Sequence, residues 1–317
     1  AVLWPYMALL ALALIASGFW YMGAVQIKKI LHENPDINFN NVSVNGFPSQ
    51  YRIVIDDYII KLPQGNLSGD KLTAVRMFYD FNHTIFWAEG SLHFDGNSGD
   101  QLSLSGDAIQ ASHVMNKDGE DYFADARISV DLQNPSIKVR PVFAEGMNIS
   151  SDQIQFYTLP TETNQTRMLL NAGNLIFAET DNQNILSFKK TIVETHFPIS
   201  PQKSEPMTLD NLALDINLPS GELLGIQGDG QLGRSMEGYL DGTLNLKFEN
   251  MASVLRVLQT HGLLTTDQVA ILSFALQLKT GSTKKNVSEA DTFPLTLAFK
   301  RGRIFFGLLD IGPAPKL

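Results

Sequence analysis

Leu212-Ala213-Leu214-Asp215-Ile216-Asn217-Leu218 alternates apolar and polar side chains, and Gly242-Thr243-Leu244-Asn245-Leu246-Lys247-Phe248 does the same further on. Successive side chains of an extended strand point to opposite faces, so each stretch reads as a strand with one apolar and one polar face. Working outward, the same alternation occurs in Ala126–Leu132, Gln101–Leu104, Ser91–Phe94, Tyr51–Ile55 and Asn41–Val44. Runs at roughly 8–12-residue spacing, separated by Gly, Asn, Asp and Pro, predict a mostly β fold. A large antiparallel sheet, curved or closed into an open barrel, fits that spacing better than βαβ units. Asp118-Gly119 between His113-Val114-Met115 and Tyr122-Phe123 reads as a tight hairpin turn. Phe293–Phe299 and Arg303–Phe306 form a last hairpin across Arg301-Gly302.

Two segments break the pattern. Val2–Val25 carries no charge and is about as long as a helix crossing the hydrocarbon core, which takes roughly 20 apolar residues. Trp4 and Tyr6 at one end, and Trp20 and Tyr21 at the other, form a candidate interfacial aromatic belt. Gln26–Leu31 extends the helix until Asn34-Pro35 stops it, giving an anchor over 1–31 and a β-rich domain over 32–317. A cleaved signal peptide ending at Ala16-Ser17-Gly18 is the competing reading. The apolar run continues past Gly18, which favours a retained anchor. The second break is Met251–Gln259, apolar at helical spacing and stopped by His261-Gly262. A Thr265–Gln268 capping box then opens Val269–Leu276, which predicts a short helical hairpin over about 251–279.

The chain has 33 Asp plus Glu against 24 Lys plus Arg, a net charge of −9. An acidic surface argues against nucleic acid as a partner. With no cysteine, disulfides, thiolate metal sites and Cys nucleophiles are excluded. Lys28 and Lys29 follow the apolar run, and taken literally the positive-inside rule puts the large domain in the cytoplasm. A short basic segment ahead of Ala1 would reverse that, and one is expected.

No motif carries chemistry on its own. Gly228-Asp229-Gly230-Gln231-Leu232-Gly233 matches G-x-G-x-x-G, but a strand rather than a helix follows it, so a glycine-rich turn is expected instead of a dinucleotide site. Asp95–Asp100 resembles a calcium loop but lacks its position-five ligand and its terminal Glu. Gly233–Gly238 misses the nucleophile-elbow spacing by one residue. No two of His32, His83, His93, His113, His196 and His261 lie at metal-binding helical spacing, and His83 and His93 are placed to meet only across a turn. The expectation is a protein without catalytic, metal or cofactor residues, and not an enzyme.

Gly46-Phe47-Pro48-Ser49, then Tyr79, Asn82 and His83, then Leu240–Leu244, Pro294–Leu297, Gly302–Gly307 and Gly312–Pro315 together resemble the DUF2125 family of alphaproteobacterial envelope proteins. The resemblance spans nearly the whole chain, departing at Asp80-Phe81, where a Pro is expected after the Tyr. Its layout is similar to that of AsmA-like proteins. It implies an inner-membrane, single-pass anchor with the large domain in the periplasm, against the literal lysine count.

Two functions follow. An AsmA-like sheet implies an apolar concave face that binds or passes membrane lipid. Alternating positions Leu214, Ile216, Leu218, Leu244, Leu246 and Phe248 are the candidate groove lining, and a one-residue slip would exchange them all. The alternative is a non-catalytic scaffold or accessory subunit of an inner-membrane complex. There, Ser17-Gly18 and Gly23-Ala24 would let a partner protein's helix approach closely.

Overall fold

The computed structural model describes residues 3–115, 126–142, 146–161, 165–179, 184–198, 206–218, 221, 223–235, 237–250, 293–306 and 309–316, with six scattered positions between 255 and 270. The chain is mostly β, with one long N-terminal helix, and it divides into two compact units. Unit 1 comprises Ala1–Ile154 and Glu179–Gln183; unit 2 comprises Gln155–Ala178 and Asn184–Leu317.

Unit 1 opens with α1 (Leu3–Glu33). Pro5 sits in its first turn, where a missing N–H costs little. At its end the Asn34 side chain accepts the Asp36 N–H, turning the chain into the sheet. β1 (Ile37–Asn38) and β2 (Asn41–Asn45) share one edge of β3 (Gln50–Leu62). β4 (Gly65–Met77) takes the other edge, and β5 (Asp80–Gly96) follows it. β5 then forks. His83–Ala88 pair with β7 (Ala108–Met115), which β8 (Ala126–Gln133) extends. Leu92–Asp95 pair with β6 (Gln101–Ser105), followed by β9 (Ser136–Arg140) and β10 (Met147–Ser150). The fork is at Gly90, whose φ of +84° suits glycine and whose missing Cβ would lie 2.0 Å from Asp70 Oδ2. All these pairings are antiparallel.

β11 (Gln153–Pro160) carries the chain from unit 1 to unit 2. Unit 2 is a meander in which each strand pairs with the next: β12 (Gln165–Glu179), β13 (Asn184–Pro198), β14 (Met207–Asn217), β15 (Leu223–Arg234), β16 (Leu240–Phe248), β17 (Phe293–Lys300), β18 (Arg303–Phe306) and β19 (Leu309–Pro313). Arg301 and Gly302, at φ +53° and +71°, make the expected β17–β18 turn. The expected hairpin turn at Asp118-Gly119 lies outside the described residues. So does nearly all of the helical hairpin expected over about 251–279. Six residues there have helical backbone, but α1 is the one helix of any length among the described residues.

α1 has two halves with different surroundings. Leu10, Leu12, Leu14, Ile15 and Phe19 are each more than half exposed, and they lie all round the helix. From Trp20 onward one stripe is covered: Trp20, Gly23, Ala24, Ile27 and Leu31, at the spacing that keeps residues on one helix face. That stripe lies on β2 and β3. The Trp20 ring stacks on Tyr51 at 5.6 Å, and its Nε1 donates to the Gln50 carbonyl at 2.9 Å. Ala24 and Ile27 join Val44, Tyr51 and Ile53 in one cluster. Leu31 joins Val42, Ile55 and Tyr58 in the next. Asp57, at φ +49°, interrupts the alternation of β3, so Ile55 and Tyr58 reach the same cluster although they are three residues apart.

Gly23 sets how closely helix and sheet approach. A Cβ there would lie 2.2 Å from the Tyr51 hydroxyl oxygen, and Tyr51 is itself buried. Gly18, by contrast, has nothing within 4 Å. Gly23→Val is therefore expected to weaken docking by about 1–3 kcal/mol, the usual cost of overpacking. Gly18→Ala is expected to leave docking unchanged. Hydrogen exchange of β2 and β3 amides in the full chain measures both, with faster exchange predicted for the first variant only.

Burial pushes the Tyr58 phenol up from its ordinary 10.0 to about 12, with a smaller push from the Asp70 charge. The folded state thus holds this proton more tightly than the unfolded state does. Stability from this group is complete below pH 10 and is lost as pH rises toward 12. A thermal melt series across that window should fall less steeply for Tyr58→Phe than for the unaltered chain.

Candidate functional site

The register of unit 2 aligns apolar residues in rows that cross the strands. Ala172, Thr191, Leu214, Ile226 and Phe248 are successive partners from β12 to β16. Beside them run Leu170, Val193, Leu212, Gly228, Leu246 and Leu295, reaching β17. A third row is Met168, Thr195, Leu209, Gly230, Leu244 and Leu297. Directly opposed residues share a sheet face, so these rows make one apolar surface several strands wide. Bulges at Phe188/Lys190 on β13 and at Leu209/Leu212 on β14 shift the register without inverting the face, so the rows stay aligned.

The intervening positions carry polar groups. Arg167 pairs with Glu194, and His196 with Asp210. Asn245 donates to Asp229 at 3.0 Å and accepts from Thr296 at 3.3 Å, and Gln227 donates to Glu249. The sheet is therefore two-faced, with hydrogen-bonded ladders on one side and aliphatic side chains on the other. Buried polar atoms on the apolar face are few. Thr195 donates its hydroxyl to the Thr208 carbonyl at 2.8 Å, while Thr191 Oγ1 has no partner.

Five of the six candidate lining residues fall on this face. Leu214 and Phe248 share a row through Ile226, and Leu244 and Leu246 occupy the next two rows. Ile216 pairs with Leu224 beyond them. Leu218 lies past the end of β14 and has no strand partner among the described pairings. Leu246 is buried, and the other five are half-buried. The rows on β12 and β13 were not singled out from the sequence, because Asn174, at φ +49° and outside the β12–β13 pairing, and a bulge at Lys189 blur their alternation.

The glycine motif is corrected by the same register. Gly228, Gly230 and Gly233 lie inside strand β15, not in a turn, and no helix follows them. Gly228 and Gly230 sit opposite Leu246 and Leu244. A Cβ at Gly228 would lie 2.6 Å from Leu246 Cδ2 and 2.9 Å from the Asn245 carbonyl oxygen. These glycines leave room for the β16 leucines to lie across β15, a packing role rather than a phosphate-binding one.

The other motifs resolve into local structure. Asp95–Asp100 is the end of β5 and its turn into β6, closed by Gly96 N–H donating to the Asp100 carbonyl at 2.8 Å. The Ser98 hydroxyl and the Val142 N–H donate to the Asp100 carboxylate and hold it below its usual range. His83 and His93 lie on one strand and do not meet: each bonds a serine, Ser112 at 3.0 Å and Ser103 at 2.9 Å. His261 lies outside the described residues. Among the described residues, no group of three or more His, Asp or Glu is arranged to hold a metal.

The aromatic belt residues differ from one another. Trp20 is committed to Tyr51, whereas Tyr21 on the next position is 67% exposed. Trp4 and Tyr6 lie in the first turns of α1, where only the backbone is described. Gly23 and Ala24 are taken up by unit 1's own sheet, which leaves Ser17 and Gly18 as the small residues open to another helix.

The short segments that carried the family resemblance meet in space within each unit. In unit 1 the Gly46–Ser49 turn touches the turn holding Tyr79, through the Phe78 N–H donating to the Ser49 carbonyl at 3.0 Å. In unit 2 Ala314 N–H donates to Gly302, and Leu240 N–H to Pro315. Gly302 lies under the Tyr239 ring, which Lys316 covers at 5.1 Å. A family model described as an uncharacterized protein conserved in bacteria, DUF2125, matches residues 33–315. The chain belongs to the DUF2125 family. No curated protein and no solved structure matches it. The match begins at the last residue of α1 and takes in both units, so the DUF2125 region is the two β units.

Replacing Gly228 by Val should cost about 1–3 kcal/mol through overpacking against Leu246. Gly173→Ala, at a glycine with nothing within 4 Å, should be nearly neutral. Chemical denaturation of the full chain in detergent compares the two.

Proposed function

We propose that this DUF2125 protein is a single-pass, inner-membrane-anchored protein whose large region lies in the periplasm and binds or passes lipid along an apolar sheet face, in the manner of AsmA-like proteins. The observation that carries the reading is the alignment of Ala172–Phe248, Leu170–Leu295 and Met168–Leu297 in continuous rows on one face of unit 2. Aliphatic rows with few polar atoms suit acyl chains, which need apolar contact and offer nothing to hydrogen-bond. An α1 long and apolar enough to cross a membrane supports the anchoring. The role is binding and transfer, without bond-breaking chemistry.

A scaffold role is favoured by one feature. Ser17 bonds back to the Ala13 carbonyl and Gly18 has open space around it, a surface on which a second helix packs closely.

The face itself gives the test. A photocrosslinking residue placed at Leu214 or Leu244 in the full chain, in cells, should form lipid adducts. The same residue at the neighbouring Asp215 or Asn245, on the polar face, should not. Equal labelling at both parities, or none at either, would overturn the lipid reading. Protein adducts at Gly18 without lipid adducts in unit 2 would favour the scaffold.

A further inference from the structure

α1 lies along β3 and runs in the same direction. Trp20 stacks on Tyr51, Ala24 and Ile27 pack in the cluster of Val44 and Tyr51, and Leu31 packs against that of Val42, Ile55 and Tyr58. On the N-terminal side of Trp20 the helix therefore passes beyond the end of β3. Two turns lie at that end, the β2–β3 turn at 46–49 and the β4–β5 turn at 78–79, tied together by the Phe78–Ser49 hydrogen bond.

Both turns and the start of β5 carry exposed aromatic rings. Tyr79 is 74% exposed, Phe47 53%, Phe81 51% and Phe78 37%. None of this exposure is needed to close a turn, and rings this size are costly in water unless they meet something. They are also continuous with the helix. Phe47 meets Trp20 edge-on at 5.6 Å, and Phe81 meets Tyr51 at 6.4 Å. The Arg76 guanidinium lies 5.2 Å from the Phe81 ring, and its buried Nε has no hydrogen-bond partner.

The surroundings of α1 set the level at which these rings sit. Leu10, Leu12, Leu14, Ile15 and Phe19 are each more than half exposed, whereas from Trp20 onward one face of the helix is covered by the sheet. Sheet strands with polar groups at their edge do not enter hydrocarbon, so a spanning helix leaves the core near Trp20, where the docked turns stand beside it. We infer that the two aromatic-tipped turns are a second membrane-contacting surface, seated in the headgroup layer of the bilayer that α1 enters, with Arg76 beside them to meet lipid phosphate. This rests on the reading that α1 spans the membrane. The occupant is the bilayer surface, because the patch continues the apolar surface of the helix. Aromatic rings and a guanidinium are also the groups that favour the headgroup layer. Docking by Trp20 and Gly23 then holds unit 1 against the membrane rather than on a loose tether.

The chain has no cysteine, so a single introduced one takes a spin label uniquely. Labels at Leu12→Cys, Ser49→Cys and Gln64→Cys would report depth in the full chain, reconstituted in phosphatidylethanolamine–phosphatidylglycerol vesicles. The readout is collision with oxygen against a water-soluble nickel chelate. The expected result is Leu12 in hydrocarbon, Ser49 at headgroup depth with nickel collisions several-fold below those at Gln64, and Gln64, at the far end of β3, in water. Adding Tyr79→Asp and Phe47→Ser should return the Ser49 label to water while Leu12 stays buried. A Leu12 label in hydrocarbon with Ser49 as wet as Gln64 would overturn the second surface alone. A Leu12 label in water would overturn the spanning helix, and the second surface with it.

Discussion

Antiparallel pairing with a strict period of two is the constraint from which the rest follows. Once neighbouring strands are in register, every second residue of each joins a row crossing the sheet, and a slip of one would send the whole set to the opposite face. Unit 2 shows how this is kept over long strands. Bulges at Phe188/Lys190 and Leu209/Leu212 absorb extra residues, so that Thr191–Leu214 and Thr195–Leu209 still oppose each other. On the polar face the same register brings Arg167 to Glu194 and Asn245 to Asp229, and these pairs would be lost by the same slip. Such exposed pairs contribute little energy individually, but they oppose misregistration.

Close approach is the second requirement, and glycine meets it in both units. Gly23 lets α1 settle onto the Tyr51 ring, and Gly228 lets Leu246 lie over β15. In both cases the missing side chain is the space another residue occupies. The motif-like appearance of Gly228-x-Gly230 thus has a packing cause, and the small pair Gly23-Ala24 serves the protein's own sheet.

Much of the fold was legible because strand periodicity is local. The alternation at Asn41–Val44, Tyr51–Ile55, Ala126–Leu132, Leu212–Leu218 and Gly242–Phe248 needs only nearest neighbours to be read, and each lies in or largely in a strand. The turn at Arg301-Gly302 and the stop at Asn34-Pro35 are equally local. β12 was missed because Gly173 and Asn174 break its alternation, and only its pairing with β13 shows that it is one strand. The fork in β5 was invisible because it depends on two different partners for one strand.

The sequence by itself determined that this is a two-faced, mostly β protein behind an apolar helix, and that Leu214, Ile216, Leu244, Leu246 and Phe248 belong to apolar faces. Those properties follow from side-chain order along the chain. Only the tertiary structure decided that these residues, from strands separated by β15, lie on the same face. It alone turned Gly228 and Gly230 from a loop into strand interior, and it set Trp20 on Tyr51 instead of leaving it free. Each of these depends on which strand lies beside which and in what register. Register is set by contacts between residues far apart in the chain, and no local pattern records it.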